Sequence, residues 1–168
     1  MKKVLIVTGP GFQDEEVIYP YYRFKENYEV DIATSTDTIC YGKYGCKIKP
    51  TIIQSNLHEQ EYDCIFVPGG HEGPDRVRQC IPILDAIRKA HNMNKIISTI
   101  CHGPWVLISA NITKNIRITG YIAIRDDLIN SGAIYEEAQL VVDKNIVSSP
   151  HYDQNHLLIK KTCELLGN

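Results

Sequence analysis

Apolar residues along this chain come in short unbroken runs punctuated by glycine and proline. Between those runs they recur at helical spacing. Lys2–Thr8 is a run of the first kind, the pattern of a strand buried on both faces, and Glu29–Ala33, Asp63–Val67 and Lys95–Ile100 are read as further strands. Asn115–Thr119 predicts a further strand, and Glu137–Val142 with Asn145–Ser148 predict a hairpin around Asp143-Lys144. A helix opens at Gln13-Asp14-Glu15-Glu16 and carries Val17, Ile18, Tyr21 and Phe24, with a kink or break expected at Pro20. Asp75–His91 reads as a helix with Val77, Ile83, Leu84 and Ile87 inward, divided by Pro82. Leu57–Glu61 is a short helix or turn, and Asp37–Pro50, with Gly42 and Gly45, reads as a hairpin or small β excursion. Ile124–Asn130 is helical up to the Ser131-Gly132 stop signal, and Asp153–Leu166 is a terminal helix.

Strands that alternate with helices predict a mainly parallel sheet covered on both faces, a flavodoxin-like three-layer α/β sandwich. Residues 1–168 are read as one domain, long enough to bury a core. In such folds ligands sit at the C-terminal ends of the strands. Three loops therefore converge there: Gly9–Glu16, Pro68–Asp75 and Cys101–Gly103.

Composition narrows the function classes. Hydrophobic residues at 43% and charged ones at 23% are ordinary for a globular protein, and the formal net charge is −2. There is no basic field for nucleic acid or anionic membranes, and no apolar run long enough to cross a bilayer. Met1-Lys2-Lys3 runs straight into a short strand, not a signal peptide. The six cysteines form no C-x-x-C pair and no zinc-finger spacing, so a cytoplasmic protein with reduced thiols and no metal is expected. Cys40 and Cys46 are the one pair with a redox reading.

The candidate chemistry centres on Ile96-Ile97-Ser98-Thr99-Ile100-Cys101-His102-Gly103-Pro104-Trp105. A strand stops at a cysteine and becomes a helix within three residues. That arrangement has the mechanics of a nucleophile elbow, and the free N–H groups of the helix start favour a thiolate. The plain alternative is a small buried hydrophobe. Asp14, Glu15 and Glu16 are each placed to supply a carboxyl near the sulfur, and spacing does not separate them. A protonated carboxyl there could shuttle a proton. The Gly69-Gly70 turn reads either as a connector or as a nest whose Gly70 amide, with that of His102, binds an oxyanion. Adjacent residues at an elbow point apart, so His102 is expected to miss the sulfur; Asp75 could orient it from the same or another subunit. His71, Tyr121 and His151 are expected at the same mouth.

Taken together, five stretches resemble the ThiJ/PfpI family of the class I glutamine amidotransferase-like superfamily, and most of all its PfpI-type intracellular protease and deglycase branch. They are Phe12–Tyr21, Val67-Pro68-Gly69-Gly70, Ile100-Cys101-His102-Gly103-Pro104, Arg125–Gly132 and Val141–Ser149. The resemblance implies that Cys101 is the nucleophile, Glu16 the carboxyl bonded to it, and Gly70 and His102 the oxyanion amides. It also implies a Cys101–His102 pair oriented by an acid from a neighbouring subunit of a dimer or hexamer. Asp75 stands nearest that position, with Glu72 as a substitute. Two segments depart from the family pattern: Gly120-Tyr121-Ile122-Ala123 replaces Ser-Tyr-Pro-Gly, and Ser149-Pro150 replaces Ser-Arg, which brings His151 to the rim. The implied function is a cofactor-free cysteine enzyme acting on small reactive carbonyls or glycation adducts. The rivals are a cysteine peptidase and a redox-sensing stress protein or chaperone.

Overall fold

The alternation of apolar side chains along the strands builds the two faces of the molecule. A computed structural model describes residues 1–167. In chain order its strands and helices are β1 (Lys3–Thr8), α1 (Asp14–Lys25), β2 (Glu29–Thr34), β3 (Cys40–Tyr41), β4 (Lys47–Ile48), β5 (Cys64–Val67), α2 (Glu72–Val77), α3 (Ile81–Asn92), β6 (Ile96–Ile100) and α4 (Pro104–Ser109). Then come β7 (Arg117–Ile118), α5 (Arg125–Asn130), β8 (Ile134–Tyr135), β9 (Val141–Asp143), β10 (Ile146–Ser149) and α6 (Asn155–Leu166). Short 3-10 turns occupy Gln54–Glu59, Ile122–Ile124 and Tyr152–Gln154.

The main sheet has the order β2-β1-β5-β6-β10-β9, parallel except for β9 at one edge. Successive residues point to opposite faces. Val4, Ile6, Cys64 and Phe66 join one core with Phe24 of α1 and Leu158 and Ile159 of α6. Leu5, Val7, Ile65, Val67 and Ile97 join the other with Ile83 and Ile87 of α3 and Val106 and Leu107 of α4. Ser98, fully buried, is satisfied by Thr162 of α6 at 2.9 Å. This is the mainly parallel, helix-covered architecture that the strand pattern predicts.

Four details differ from expectation. First, α1 continues through Pro20 without a break, its apolar side held by the core under it. Second, the break before α3 falls at residues 78–80, not at Pro82. Pro82 sits in the first turn of α3, where a missing N–H costs no bond, and α2 begins at Glu72 rather than Asp75. Third, the strand expected over Asn115–Thr119 shrinks to Arg117–Ile118 and leaves the main sheet to pair with β8. Fourth, the first strand of the hairpin expected over Glu137–Val142 shortens to β9 at Val141–Asp143. The excursion after β2 is the expected hairpin, built from the two-residue strands β3 and β4. All six cysteines are free thiols. Cys40 turns its sulfur to the Thr38 carbonyl, so no Cys40–Cys46 bond forms.

Asp63 fastens the sheet at the end away from the elbow. It accepts the Lys3 N–H at 3.0 Å and the Lys95 ammonium at 2.9 Å. Burial alone would raise its pKa, but the Lys95 and Lys3 hydrogen bonds and the nearby positive charge leave it below the usual carboxylate value. A depressed pKa means stabilisation that is present above the unfolded value of about 3.9 and lost as pH falls through the folded one. Asp63→Asn is therefore expected to cost about 1 kcal/mol at neutral pH. In urea melts its deficit should close as pH drops below 4; a deficit independent of pH would show that the charge contributes nothing.

Candidate active site

The three predicted loops meet at the C-terminal edge of β1, β5 and β6, where the chain switches from building one side of the sheet to the other. Cys101 follows β6 directly and is 7% exposed. Its φ of +60° lies in the left-handed region, which a side chain adopts only under constraint. The constraint is visible: its N–H donates to the Ser149 carbonyl at 3.1 Å, and its carbonyl accepts the Tyr121 N–H at 2.8 Å. The kink aims Sγ into the crevice instead of along the strand.

Gly69 makes this crevice possible. A Cβ there would lie 2.5 Å from a Glu16 carboxylate oxygen and 2.6 Å from the Cys101 Cβ. Only glycine lets carboxyl, turn and thiol close together. Glu16, fully buried in the first turn of α1, accepts the Gly69 N–H through Oε2 at 2.6 Å. Its Oε1 meets no full hydrogen bond, and the Cys101 thiol is the polar group coupled to the carboxyl. Burial pushes the Glu16 pKa up to about 8 against the pull of the Gly69 and Cys101 contacts. Of the three acids left open by spacing, Glu16 is the one at the sulfur. Asp14 instead accepts the N–H groups of Tyr44 and Cys46, both at 2.8 Å, and Glu15 takes the Gln13 side-chain amide at 2.7 Å.

The thiolate expected at the helix start is not the resting form. Burial pushes the Cys101 thiol up to about 12, and the Glu16 charge adds to this, while the Gly70 and His102 amides pull the other way. Desolvation outweighs those two N–H groups. Both amides nonetheless face the sulfur, as an oxyanion site requires.

His102 also departs from expectation, since its Nδ1 turns back to lie 3.2 Å from Sγ. The ring is stacked on Tyr121, with centroids 4.9 Å apart, and edge-on to Trp105 at 5.1 Å. Burial, with His71 nearby, lowers its pKa to about 4, so the imidazole is neutral across the physiological range. Within one chain Asp75 does not orient it: that carboxylate is exposed on α2, outside the cleft. Glu72 pairs with Arg76 at 3.2 Å. α2 starts earlier than expected, and both acids are exposed on it.

The cleft over Cys101 has a volume of about 290 Å³. Gly70, His71, His102, Tyr121 and His151 all line it, as the sequence predicts. Sequence reasoning missed Gln13, Lys43, Tyr44 and Tyr152. Lys43 and Tyr44 come from the β3–β4 hairpin, which nothing local in the sequence ties to the elbow. Among the described residues no group of three or more His, Cys, Asp or Glu side chains is placed to hold a metal ion.

A parallel α/β sandwich with a cysteine at a strained strand-to-helix elbow, a buried acid behind it and two amides facing its sulfur defines a class of cysteine-elbow proteins. The sequence matches the DJ-1/PfpI family over residues 2–165, and the chain belongs to that family. It is 38% identical to "Deglycase PfpI" of Pyrococcus furiosus over 98% of this chain and 99% of that protein. It is 40% identical to "Deglycase PH1704" of Pyrococcus horikoshii over 88% of this chain and 89% of that one. A crystallised two-domain protein from Anabaena variabilis with DJ-1/ThiJ/PfpI-like and ferritin-like domains superposes with a TM-score of 0.95 at 29% identity. That match covers 99% of this chain, which spans about half (48%) of the Anabaena protein.

A buried acid with a raised pKa favours folding only while it stays protonated. Its contribution is complete below the unfolded value of about 4.3 and lost as pH climbs through the folded value. Glu16→Gln removes that penalty. The variant should match the parent near pH 4 and gain stability steadily up to pH 8, by on the order of 3 kcal/mol, in denaturant melts. A gain that does not vary with pH would refute a protonated Glu16.

Proposed function

We propose that the chain is a cysteine-dependent enzyme that acts on small reactive carbonyls or their glycation adducts. One observation carries the reading: the Cys101 sulfur lies 3.2 Å from a neutral His102 nitrogen and faces two backbone amides. It does so in a cleft of about 290 Å³, at the small end of ligand sites. The deglycase names of two relatives support the same reading.

With methylglyoxal the chemistry runs as follows. Sγ bonds to the aldehyde carbon, the C=O π electrons move to oxygen, and the thiol proton passes to His102 Nδ1. The Gly70 and His102 amides stabilise the oxyanion, which then takes the proton back to give a hemithioacetal. Moving the proton on that carbon to the neighbouring one, through an enediol, converts the hemithioacetal into a thioester. His102 and Glu16 are the proton carriers. Water then cleaves the thioester to lactate and the free thiol. The sum is methylglyoxal plus water to lactate, an internal oxidation and reduction that needs no outside electron carrier.

A peptidase would need a carboxylate to orient His102 and stabilise its cation. Among the described residues none contacts it.

Purified protein should form lactate from methylglyoxal, and Cys101→Ser should fall to background. His102→Ala should lose about a hundredfold in kcat/KM. The pH profile should be a bell. Its acid limb lies near pH 4, where His102 becomes protonated and can no longer accept the thiol proton. Its alkaline limb lies near pH 8, where ionised Glu16 places a negative charge beside the reacting sulfur. Lactate formation by Cys101→Ser at the parent rate would sink the proposal.

A further inference from the structure

The residues that line the Cys101 cleft include one lysine and no carboxylate. Lys43 is the one permanently charged side chain among the described residues that line it. Its place is set by backbone bonds, not by chance at a loop tip. The Lys43 N–H donates to the Phe12 carbonyl at 2.8 Å, and the Gly11 N–H donates to the Tyr41 carbonyl at 2.9 Å. The Asp14 carboxylate grips the next turn through the Tyr44 and Cys46 amides. The β3–β4 hairpin is thus fastened to the loop that leads into Glu16. The ammonium sits 5.5 Å over the Tyr44 ring and close enough to Tyr152 to act on its phenol.

The carboxylates near the hairpin and the rim make their hydrogen bonds and ion pairs with other groups than this ammonium. Asp14 is taken by the two amides, Glu15 by Gln13, Glu72 by Arg76, and Asp153 by His151 at 3.1 Å. Glu16 lies behind the sulfur. An anion in the cleft would meet the one lysine of the lining and no carboxylate there.

We propose that the site selects small carbonyl compounds with an anionic end, a carboxylate or phosphate, and that the Lys43 ammonium holds this end while the carbonyl meets Cys101. This rests on the carbonyl-enzyme reading above and names its substrate class. The bond-forming step is unchanged: Sγ–H adds across C=O, sulfur bonds to carbon, and the thiol proton ends on the former carbonyl oxygen. No oxidant or reductant enters.

The test uses two aldehydes of similar size, anionic glyoxylate and neutral glycolaldehyde, each labelled with carbon-13 at the aldehyde. The hemithioacetal carbon is followed by NMR during titration of the whole protein, so no turnover is needed. Lys43→Met should weaken the glyoxylate adduct relative to the glycolaldehyde adduct about tenfold, and Lys43→Arg should restore the ratio. Added salt should weaken the glyoxylate adduct of the parent more than that of Lys43→Met. An equal ratio in parent and Lys43→Met would overturn the anion selectivity and leave the carbonyl reading standing. Absence of an adduct with both aldehydes in the parent would overturn the carbonyl reading itself, and this inference with it.

Discussion

The contact of the Glu16 carboxyl with Gly69 and Cys101 is the constraint on which the rest of the site depends. It brings together the first turn of α1, the turn after β5 and the residue after β6, three segments far apart in sequence. Their approach is limited by a missing side chain, since any Cβ on Gly69 would overlap both partners. The carboxyl gains little in return. It is fully buried with one firm hydrogen bond, and one oxygen lacks a full partner. A buried polar group so poorly satisfied works against stability. It is the kind of local cost that folds carry at functional sites.

Much of this was legible in the sequence because the relevant rules are short-range. Short strand-like runs marked β1, β2, β5 and β6, and the C-terminal turns of β1, β5 and β6 identified the three converging loops. The failures were of another kind. Asn115–Thr119 looked like a sheet strand, yet β10 takes the place beside β6, a tertiary choice that local pattern does not encode. Pro82 was read as an interruption when it begins a helix. Asp14 was one of three acids that spacing does not separate; it is a buried clamp on the hairpin. Lys43 had no local signal, because its role depends on the backbone bonds that fasten β3 and β4 to residues 11 and 12. His102 was expected to point away, and only the left-handed kink at Cys101 explains why its ring swings back.

The elbow also shows how two electrostatic effects compete over one sulfur. The Gly70 and His102 N–H groups lower the thiol pKa, and burial raises it. Burial wins in the unliganded cleft. Glu16, at about 8, loses its proton before Cys101, at about 12, and its negative charge then opposes a thiolate. A thiolate is easiest to form while Glu16 stays protonated and the Gly70 and His102 amides face the sulfur. In the proposed reaction an arriving carbonyl would change the balance by offering an oxygen where negative charge can develop against those amides.

The same balance separates the two enzymatic readings. Attack on an amide, a weak electrophile, calls for a preformed thiolate–imidazolium pair. With the thiol raised to about 12 and the imidazole lowered to about 4, that pair is scarcely populated. An aldehyde is far more electrophilic, and it can accept the sulfur while the proton is in flight to His102. Within the chain the ring is packed against Tyr121 and Trp105. Aromatic stacking fixes direction without raising basicity. A neutral, well-aimed, weakly basic imidazole suits reversible proton traffic on a carbonyl adduct. It suits the expulsion of a peptide amine poorly.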